Sequence, residues 1–579
     1  MKNNIAPTSE TLQSKLSFQP QELKFGTSGR RGEVIHLTQL EVYINALAEL
    51  EYLQSLPTKE GGIVKGDEFF YGYDLRPSSS RYVPEQQGRG ELAQTIEQVI
   101  RDAGLKPVNL GQIPTPALAY YAFTHGKGSI MITGSHIPFD RNGYKTNTSI
   151  GELLKEHESP IQEKVDEIRR RLNSQPFNTS LFDENGRFKS GHQELMPQNN
   201  AAYQAYISRY VDFFGDLSLQ GLRVAVYQHS AVGRDLLKEI LSKLGAEVVA
   251  VGRSETFIPI DTENMDEVQI QSIQALHDET FAHFGRIDAI ISTDGDSDRP
   301  MILGVEAGKV RFFGGDLVGM VTAEFLGADA VVVPISCNDA IDISGLQPKL
   351  APKTRIGSPF VVAGMEKSVA SGKQAVCGFE ANGGFLTAST IIRNGKSLTA
   401  LPTRDALLPI LAVLYAAREK GLSLCQLFNQ LPARYSRSAL LKAFPRSRSQ
   451  QIIKRFSLAD ERVMDVRFGL GGIELLDENN FPLTNVDALA QAAENISAEL
   501  KSFFTPDMGF GFINRIKYLD GVRIYFDNGD VAHIRPSGNA DELRIYAVAN
   551  TVDRAETIVK FAIAEPDGIL RCMERLIDG

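Results

Sequence analysis

The chain has 579 residues, a formal net charge of −10, 42% apolar residues and 23% charged residues. That length exceeds what one hydrophobic core can serve, so about three to five domains are expected. The acidic balance excludes a basic nucleic-acid surface as the organising feature. No apolar run reaches the roughly 18 residues of a membrane span, the nearest, Ala406 to Ala417, being broken by Pro409.

The first residues, MKNNIAPTSE, lack an apolar signal core, and the expectation is a cytoplasmic enzyme with no membrane and no nucleic-acid partner. Cys337, Cys377, Cys425 and Cys572 have no motif spacing, which predicts reduced, buried thiols rather than a zinc site or disulfides.

In chain order, Lys24-Phe25-Gly26-Thr27-Ser28-Gly29-Arg30-Arg31-Gly32 comes first, a glycine-rich loop with two arginines and two hydroxyls. Backbone N–H groups and arginine together can hold an anion. Neither GxGxxG after a strand nor GxxxxGK[ST] occurs, so nucleotide binding gains no support. A strand over Phe69 to Asp74 ends in Asp74-Leu75-Arg76-Pro77-Ser78. A helix follows from about Glu91 to Ala103, stopped by Gly104. Strand, helix and strand then alternate to the apolar strand Gly128 to Ile132, as expected of βαβ units. That strand delivers TGSHIPFDRNGYK, Thr133 to Lys145, at its carboxyl end, where open α/β sheets bind ligands. Ser135 is a candidate nucleophile that needs a base, a metal or prior phosphorylation, and Asn142-Gly143 predicts a turn. Residues 151–200 are polar, with helical spacing in Ile161 to Leu172, and a boundary is placed near Asn200.

The second run reads as a strand over Leu222 to Tyr227, a helix over Val232 to Leu244 closed by Gly245, and a strand over Glu247 to Val251. A further strand, Ile287 to Ile291, leads to Thr293-Asp294-Gly295-Asp296-Ser297-Asp298-Arg299. Carboxylates at alternate positions of one loop repel one another unless a cation lies among them, so Asp294, Asp296 and Asp298 form a candidate metal site. A calcium EF-hand fails, because Arg299 stands where it needs Gly and Val305 where it needs Glu. Monodentate oxygens with open positions suit Mg²⁺ completed by phosphate or water. A haloacid-dehalogenase-like phosphatase also uses paired aspartates, but its downstream Lys and acidic pair are not found in order.

From Gly314 the alternation restarts: a helix over Asp316 to Phe325, a strand over Ala330 to Pro334, and a glycine turn at Thr354-Arg355-Ile356-Gly357-Ser358. A strand over Ala375 to Cys377 then ends in Gly378-Phe379-Glu380-Ala381-Asn382-Gly383-Gly384. A carboxylate and a carboxamide flanked by glycines suit vicinal hydroxyls. A helix over Arg404 to Arg418 and a boundary at Leu431-Pro432 follow. The last segment predicts an antiparallel α+β unit: strands Val522 to Phe526 and Val531 to Ile534 about an Asp527-Asn528-Gly529 turn, a strand Leu543 to Val548, and a helix from about Asp553. Between its strands lies Arg535-Pro536-Ser537-Gly538-Asn539-Ala540-Asp541, with Arg544 beyond. Its arginines, hydroxyl and exposed backbone suit a phosphate.

Four of these stretches, in order, resemble the α-D-phosphohexomutase superfamily of phosphomannomutases and phosphoglucomutases. TGSHIP with NGYK is similar to its serine loop TASHNP with NGxK, DGDSDR to its magnesium loop DGDxDR, and RPSG to its phosphate loop RPSGTEP. The GTSGRRG stretch matches its amino-terminal GTSGxRG, whose arginine points to Arg30 or its neighbour Arg31. The loop at Glu380 matches the sugar-specificity loop GEESGH or GEMSGH, with Asn382 in place of serine and Gly384 in place of histidine. Asn539, Ala540 and Asp541 also depart from the family pattern.

The resemblance implies three consecutive α/β domains with mixed, mostly parallel sheets plus a C-terminal α+β domain around a central cleft, with boundaries at 1–200, 201–312, 313–432 and 433–579. It implies a phosphohexomutase that interconverts hexose 1-phosphate and 6-phosphate through phosphoserine at Ser135 and a bound 1,6-bisphosphate. In this reading Mg²⁺ is held by Asp294, Asp296, Asp298 and a phosphoserine oxygen, with hexose 1,6-bisphosphate as activator. Lys145 or Arg30 serves in proton transfer, and His136 assists or, preferably, orients the loop. Arg299, Arg355, Gly357, Glu380, Asn382, Arg535, Ser537, Gly538, Asn539 and Arg544 bind the phosphosugar. A monomer or homodimer is expected. A sugar-phosphate phosphatase using the same serine and a non-catalytic sugar-phosphate-binding relative are the alternatives.

Overall fold

The computed structural model describes residues 10–578 apart from 27–28, 88, 216–218, 264, 470, 479, 485 and 538–540. Its contacts divide the chain into two compact units, residues 1–315 with 382–425, and residues 316–381 with 426–579.

The first unit carries two five-stranded sheets. In one, Arg30–Glu33, Arg141–Asn147, Ser129–Ile132, Glu68–Tyr73 and Lys106–Gln112 lie side by side; in the other, Lys309–Phe312, Pro300–Glu306, Ala289–Thr293, Arg223–His229 and Glu247–Arg253 do. Each sheet is evenly mixed rather than mostly parallel, with two parallel and two antiparallel pairings. The reason lies in the loops. Ser129–Ile132 and Ala289–Thr293 are short and fully buried, as strands covered on both faces are. Each ends in a compact loop that returns the chain antiparallel to it, so the serine loop and the aspartate loop are built alike.

The Asn142-Gly143 turn is not formed. Both residues lie within the Arg141–Asn147 strand, where Asn142 Nδ2 donates to the hydroxyls of Ser78 (2.8 Å) and Ser79 (3.0 Å). A Cβ on Gly143 would sit 1.9 Å from the carbonyl oxygen of Arg30, so glycine here serves close strand pairing. The helix expected from Arg404 begins later, at Leu407; Leu401–Asp405 is a strand paired antiparallel with Phe385–Thr387. Asp405 stops the strand and starts the helix. Its Oδ1 accepts from the N–H of Leu407 (2.9 Å) and the Tyr206 hydroxyl (2.6 Å), and its Oδ2 from the Tyr210 hydroxyl.

In the second unit Ala330–Val332 pairs parallel with Val376–Phe379, and the helix Ser358–Ala370 packs against both. The remainder is a seven-stranded sheet, Tyr435–Lys442, Glu542–Ala549, Val531–Pro536, Val522–Phe526, Ile513–Lys517, Asp465–Gly469 and Gly472–Leu476, antiparallel throughout. Ile516, Ile524, Ile534 and Ile545 share one core with Ile452, Ile496, Leu500 and Ile558 of three helices, giving the α+β arrangement.

Candidate active site

Ser135 sits on a backbone at φ +54°, a left-handed conformation that non-glycine residues reach only when their surroundings enforce it. It is 1% exposed, and its hydroxyl donates to Asp294 Oδ2 at 2.8 Å. The serine loop and the aspartate loop are thus joined at the atom expected to carry chemistry.

The aspartate loop is tightly wound. Asp294 Oδ1 accepts the N–H groups of Asp298 (3.1 Å) and Arg299 (3.2 Å), and Ser297 adopts φ +58° with its hydroxyl bonded to Thr293 and to the Gly233 N–H. The carboxylates of Asp294, Asp296 and Asp298 are buried, with one ligand atom from each within 4.8 Å of the others, and they form the one such cluster among the described residues. Burial and the charges of Asp296 and Asp298 push the Asp294 carboxyl well above the usual range. Asp296 is held low despite burial, because Lys145 and Arg31 outweigh it. Asp296 Oδ1 and Asp298 Oδ1 are buried without a hydrogen-bond partner. Buried carboxylate oxygens left in this way are costly unless a cation takes them, so the donor set fits a hard divalent metal ion.

Lys145 lies on the strand that follows the serine loop. Its Nζ reaches Asp298 Oδ2 at 2.8 Å and Asp296 Oδ2 at 3.2 Å. Burial works against its charge, but the two carboxylates prevail and raise its pKa. Thr115 adds a hydroxyl to Asp296 Oδ2 at 2.7 Å.

The two arginines of the amino-terminal loop separate. Arg30 is fully buried away from the site: its Nε pairs with Glu49 Oε1 at 2.6 Å, its Nη1 donates to the Leu23 carbonyl, and Phe25 covers it. This corrects the assignment of Arg30 as catalytic, because a guanidinium locked on a core carboxylate is not available to substrate. Arg31 faces the site instead and donates to the Gly134 carbonyl at 2.8 Å. Burial, with the Arg299 and Arg76 charges, lowers its pKa to about 10 against the pull of Asp296.

His136 Nδ1 accepts from Arg299 Nη1 at 2.9 Å and stands 3.5 Å from the Ser135 hydroxyl. Burial and the charges of Arg299 and Arg31 hold it well below the ordinary histidine pKa, so it is neutral. Its Nδ1 is committed to the Arg299 guanidinium, which must donate to it.

Two groups here escaped the sequence reading. Arg404, 5% exposed, brings Nη1 to 3.9 Å from Asp298 Oδ2. It fills the space opposite Gly384, where a Cβ would lie 2.6 Å from its Cδ. Arg76 packs beneath Ser135. Arg31, Arg76, Lys145, Arg299 and Arg404 therefore set five cationic side chains around the four carboxyl groups of Asp74, Asp294, Asp296 and Asp298. Asn382 lies in the same unit, its side-chain oxygen accepting from the Gly384 N–H at 3.0 Å and its carbonyl from the Thr262 hydroxyl at 2.7 Å.

The remaining expected residues belong to the second unit. Glu380 is 2% exposed at the end of Val376–Phe379. Gly357, at φ +129°, precedes the helix Ser358–Ala370, and Arg355 is exposed beside it. Asp520, another residue missed from sequence, joins this turn to the arginine loop: its Oδ2 accepts from the Ile356 N–H at 3.1 Å and lies 3.5 Å from Arg535 Nη2. Ser537 is buried, its N–H bonded to the Glu542 carbonyl. Arg544 donates to Glu542 at 2.8 Å. Gly538 and Asn539 lie outside the described residues.

Three family models for phosphoglucomutase/phosphomannomutase alpha/beta/alpha domains match in order: domain I over residues 22–172, domain II over 201–307 and domain III over 315–435. A phosphomannomutase of Sinorhizobium fredii is 36% identical over 544 residues, covering 93% of this chain and 98% of its own, and one of Salmonella muenchen is 35% identical over 545 residues, covering 94% and 95%. The crystal structure of a phosphoglucomutase/phosphomannomutase family protein from Burkholderia thailandensis shares the fold with a TM-score of 0.60 at 15% identity, over 97% of this chain and 99% of that one. With three domain models in register and a serine joined to a buried aspartate triad, the chain belongs to the phosphoglucomutase/phosphomannomutase family and is a phosphohexomutase.

Proposed function

We propose that this phosphohexomutase carries its phosphoryl group on Ser135 and interconverts the 1- and 6-phosphates of mannose, of glucose, or of both. The observation that carries the reading is the 2.8 Å contact of the Ser135 hydroxyl with Asp294 inside a triad in which Asp296 Oδ1 and Asp298 Oδ1 are buried and accept no hydrogen bond, Asp298 Oδ1 having only the Arg299 Nε at 3.5 Å. Phosphorylated Ser135 donates to a sugar hydroxyl. The bond from phosphorus to Oγ breaks as the bond to the sugar oxygen forms, and the proton of the sugar hydroxyl ends on the released Ser135 Oγ, so the step is balanced within the site. The resulting hexose 1,6-bisphosphate reorients and returns its other phosphoryl group to Ser135.

Such a transfer depends on positioning and charge neutralisation. Mg²⁺, held by Asp294, Asp296 and Asp298, would supply Lewis-acid charge at the phosphoryl oxygens when bound. Lys145, fixed as an ammonium, and Arg299, aimed by neutral His136, place positive charge where the phosphoryl oxygens crowd. Arg31 does the same from the other side of the loop. Glu380 and the Asn382 amide serve hydroxyls, and Arg535, Ser537 and Arg355 take the non-reacting phosphate. Hexose 1,6-bisphosphate would serve as activator by loading Ser135.

The test is a coupled assay with mannose 1-phosphate and glucose 1-phosphate, Mg²⁺ and a trace of glucose 1,6-bisphosphate, comparing the wild type with Ser135→Ala. The 6-phosphosugar should form and collapse in the variant, the faster sugar naming the substrate. Free phosphate as the main product would instead make the protein a hydrolase, and no turnover despite sugar-phosphate binding would make it a non-catalytic relative.

A further inference from the structure

Asp74 and Arg76 leave the Glu68–Tyr73 strand as an ion pair, Nη1 to Oδ2 at 3.0 Å, with neither side chain exposed. They hold the serine loop from both ends. Asp74 Oδ2 accepts the Thr133 hydroxyl at 2.9 Å, and the Thr133 oxygen accepts the N–H of Ser135 at 2.7 Å. Arg76 takes the other side through carbonyls alone: Ser135 from Nη1 (3.2 Å) and Nη2 (3.1 Å), Ile137 from Nη2, and Arg141 from Nε (3.0 Å). The Phe257 ring covers the guanidinium, its centroid 4.0 Å from Cζ.

A planar, permanently charged fork suits this task, since its donors fix several acceptors in one geometry. What it fixes is the unfavourable turn: Ser135 at φ +54°, its carbonyl under Arg76 and its hydroxyl on Asp294. The approach depends on Gly134. A Cβ there would stand 2.6 Å from Cζ, 2.7 Å from Nε and 2.9 Å from Nη2 of Arg76, although Gly134 itself is not in the left-handed region. Alanine is therefore allowed by its own backbone, as in the family's TASHNP loop, but here it would press on the guanidinium, which must shift to admit it.

We propose that Arg76 is the positioning residue of the phosphoryl-carrying serine, holding Ser135 in the left-handed turn that aims Oγ at Asp294, and that Gly134 is the residue that permits its approach. The proposal rests on Ser135 being the carrier.

The experiment is rapid-quench labelling of the enzyme by radiolabelled glucose 1,6-bisphosphate for the wild type, Gly134→Ala, Arg76→Lys, the double variant and Ser135→Ala, with melting temperature and hexose-phosphate affinity measured on each. Gly134→Ala removes no hydrogen-bonding group. It must move the guanidinium by the difference between ordinary contact at 3.4 Å and 2.6 Å, and a displacement approaching 1 Å costs about 10²-fold in rate. Labelling should slow by up to that factor while affinity holds and the variant stays folded at the assay temperature, and the double variant should be no slower than Arg76→Lys, because both changes act through one group.

Additive losses in the double variant would overturn the proposal. So would a Gly134→Ala variant that labels at the wild-type rate, even if Arg76→Lys does not fold. Labelling that survives in Ser135→Ala would refute the carrier reading itself, a separate failure.

Discussion

Lys145→Met separates the charge of Lys145 from its bulk. Methionine keeps a flexible apolar stem in a place that is 8% exposed and deletes the ammonium that lies 2.8 Å from Asp298 and 3.2 Å from Asp296. A hydrogen bond to a charged group contributes about 1.5–3 kcal/mol, and removing one partner of a buried pair costs about 3–5 kcal/mol, because it strands the other. In metal-free protein the variant is therefore less stable. A divalent cation that draws on the same carboxylates no longer shares them with an ammonium, so its affinity should rise at least tenfold, about 1.4 kcal/mol. Turnover should fall by about 10²-fold or more, since a charge aimed at the transferring phosphoryl group is gone. The measurements are calorimetric titration with Mg²⁺ and Mn²⁺ and the coupled mutase assay at saturating metal. Unchanged or weaker metal affinity, or full turnover at saturating metal, would refute the reasoning.

Arg30→Ala should cost about 3–5 kcal/mol of stability by stranding Glu49 in the core, yet leave the folded fraction active; Arg31→Ala should fold normally and lose activity, and chemical denaturation beside the mutase assay would show a reversed pattern if the assignment to Arg31 is wrong. Arg404→Ala should lower kcat/KM by about 10²-fold, with Arg404→Lys recovering part of it; wild-type kinetics in Arg404→Ala would remove this residue from the site. His229 donates to the Thr293 carbonyl at 2.9 Å, and burial brings its pKa to about 4. The unfolded chain takes up that proton near pH 6.5 and the folded one does not, so this contribution is full above pH 6.5 and falls as pH drops toward 4, by about 2 kcal/mol at pH 5. His229→Gln should flatten the melting temperature between pH 7.5 and 5, and an unaltered slope would contradict the assignment.

What could be read from the sequence followed the range of the interactions. The strands ending at Ile132 and Thr293 announce themselves as short apolar runs stopped by polar loops, and both loops carry their chemistry in consecutive residues, so Ser135, Lys145 and the triad could be named. The helix Gln39–Ser55 could not. Thirteen of its residues are buried, Glu41, Asn45 and Glu49 among them, so it shows no apolar stripe against a polar face.

The arginine loop is resolved in sequence only by its motif, since GTSGxRG laid on GTSGRRG puts the motif's arginine at Arg31; the chemistry of the two residues alone does not separate them. Arg30 and Arg31 are successive residues of one strand, so their side chains leave on opposite faces. Which face meets the site depends on where Glu49 waits, and nothing near Arg30 in sequence says that a buried carboxylate lies on a helix beginning at Gln39. Arg404 poses the same problem in reverse. It stands just before the apolar run of the following helix, and the pairing to Phe385–Thr387, with the hydroxyls of Tyr206 and Tyr210 on Asp405, keeps it extended with the guanidinium 3.9 Å from Asp298. Motifs thus disclose a site where the chemistry is contiguous. Where a charge must be satisfied or aimed by a distant element, as at Arg30, Arg76 and Arg404, only the assembled partners reveal which arginine is locked in the core and which faces the aspartate loop.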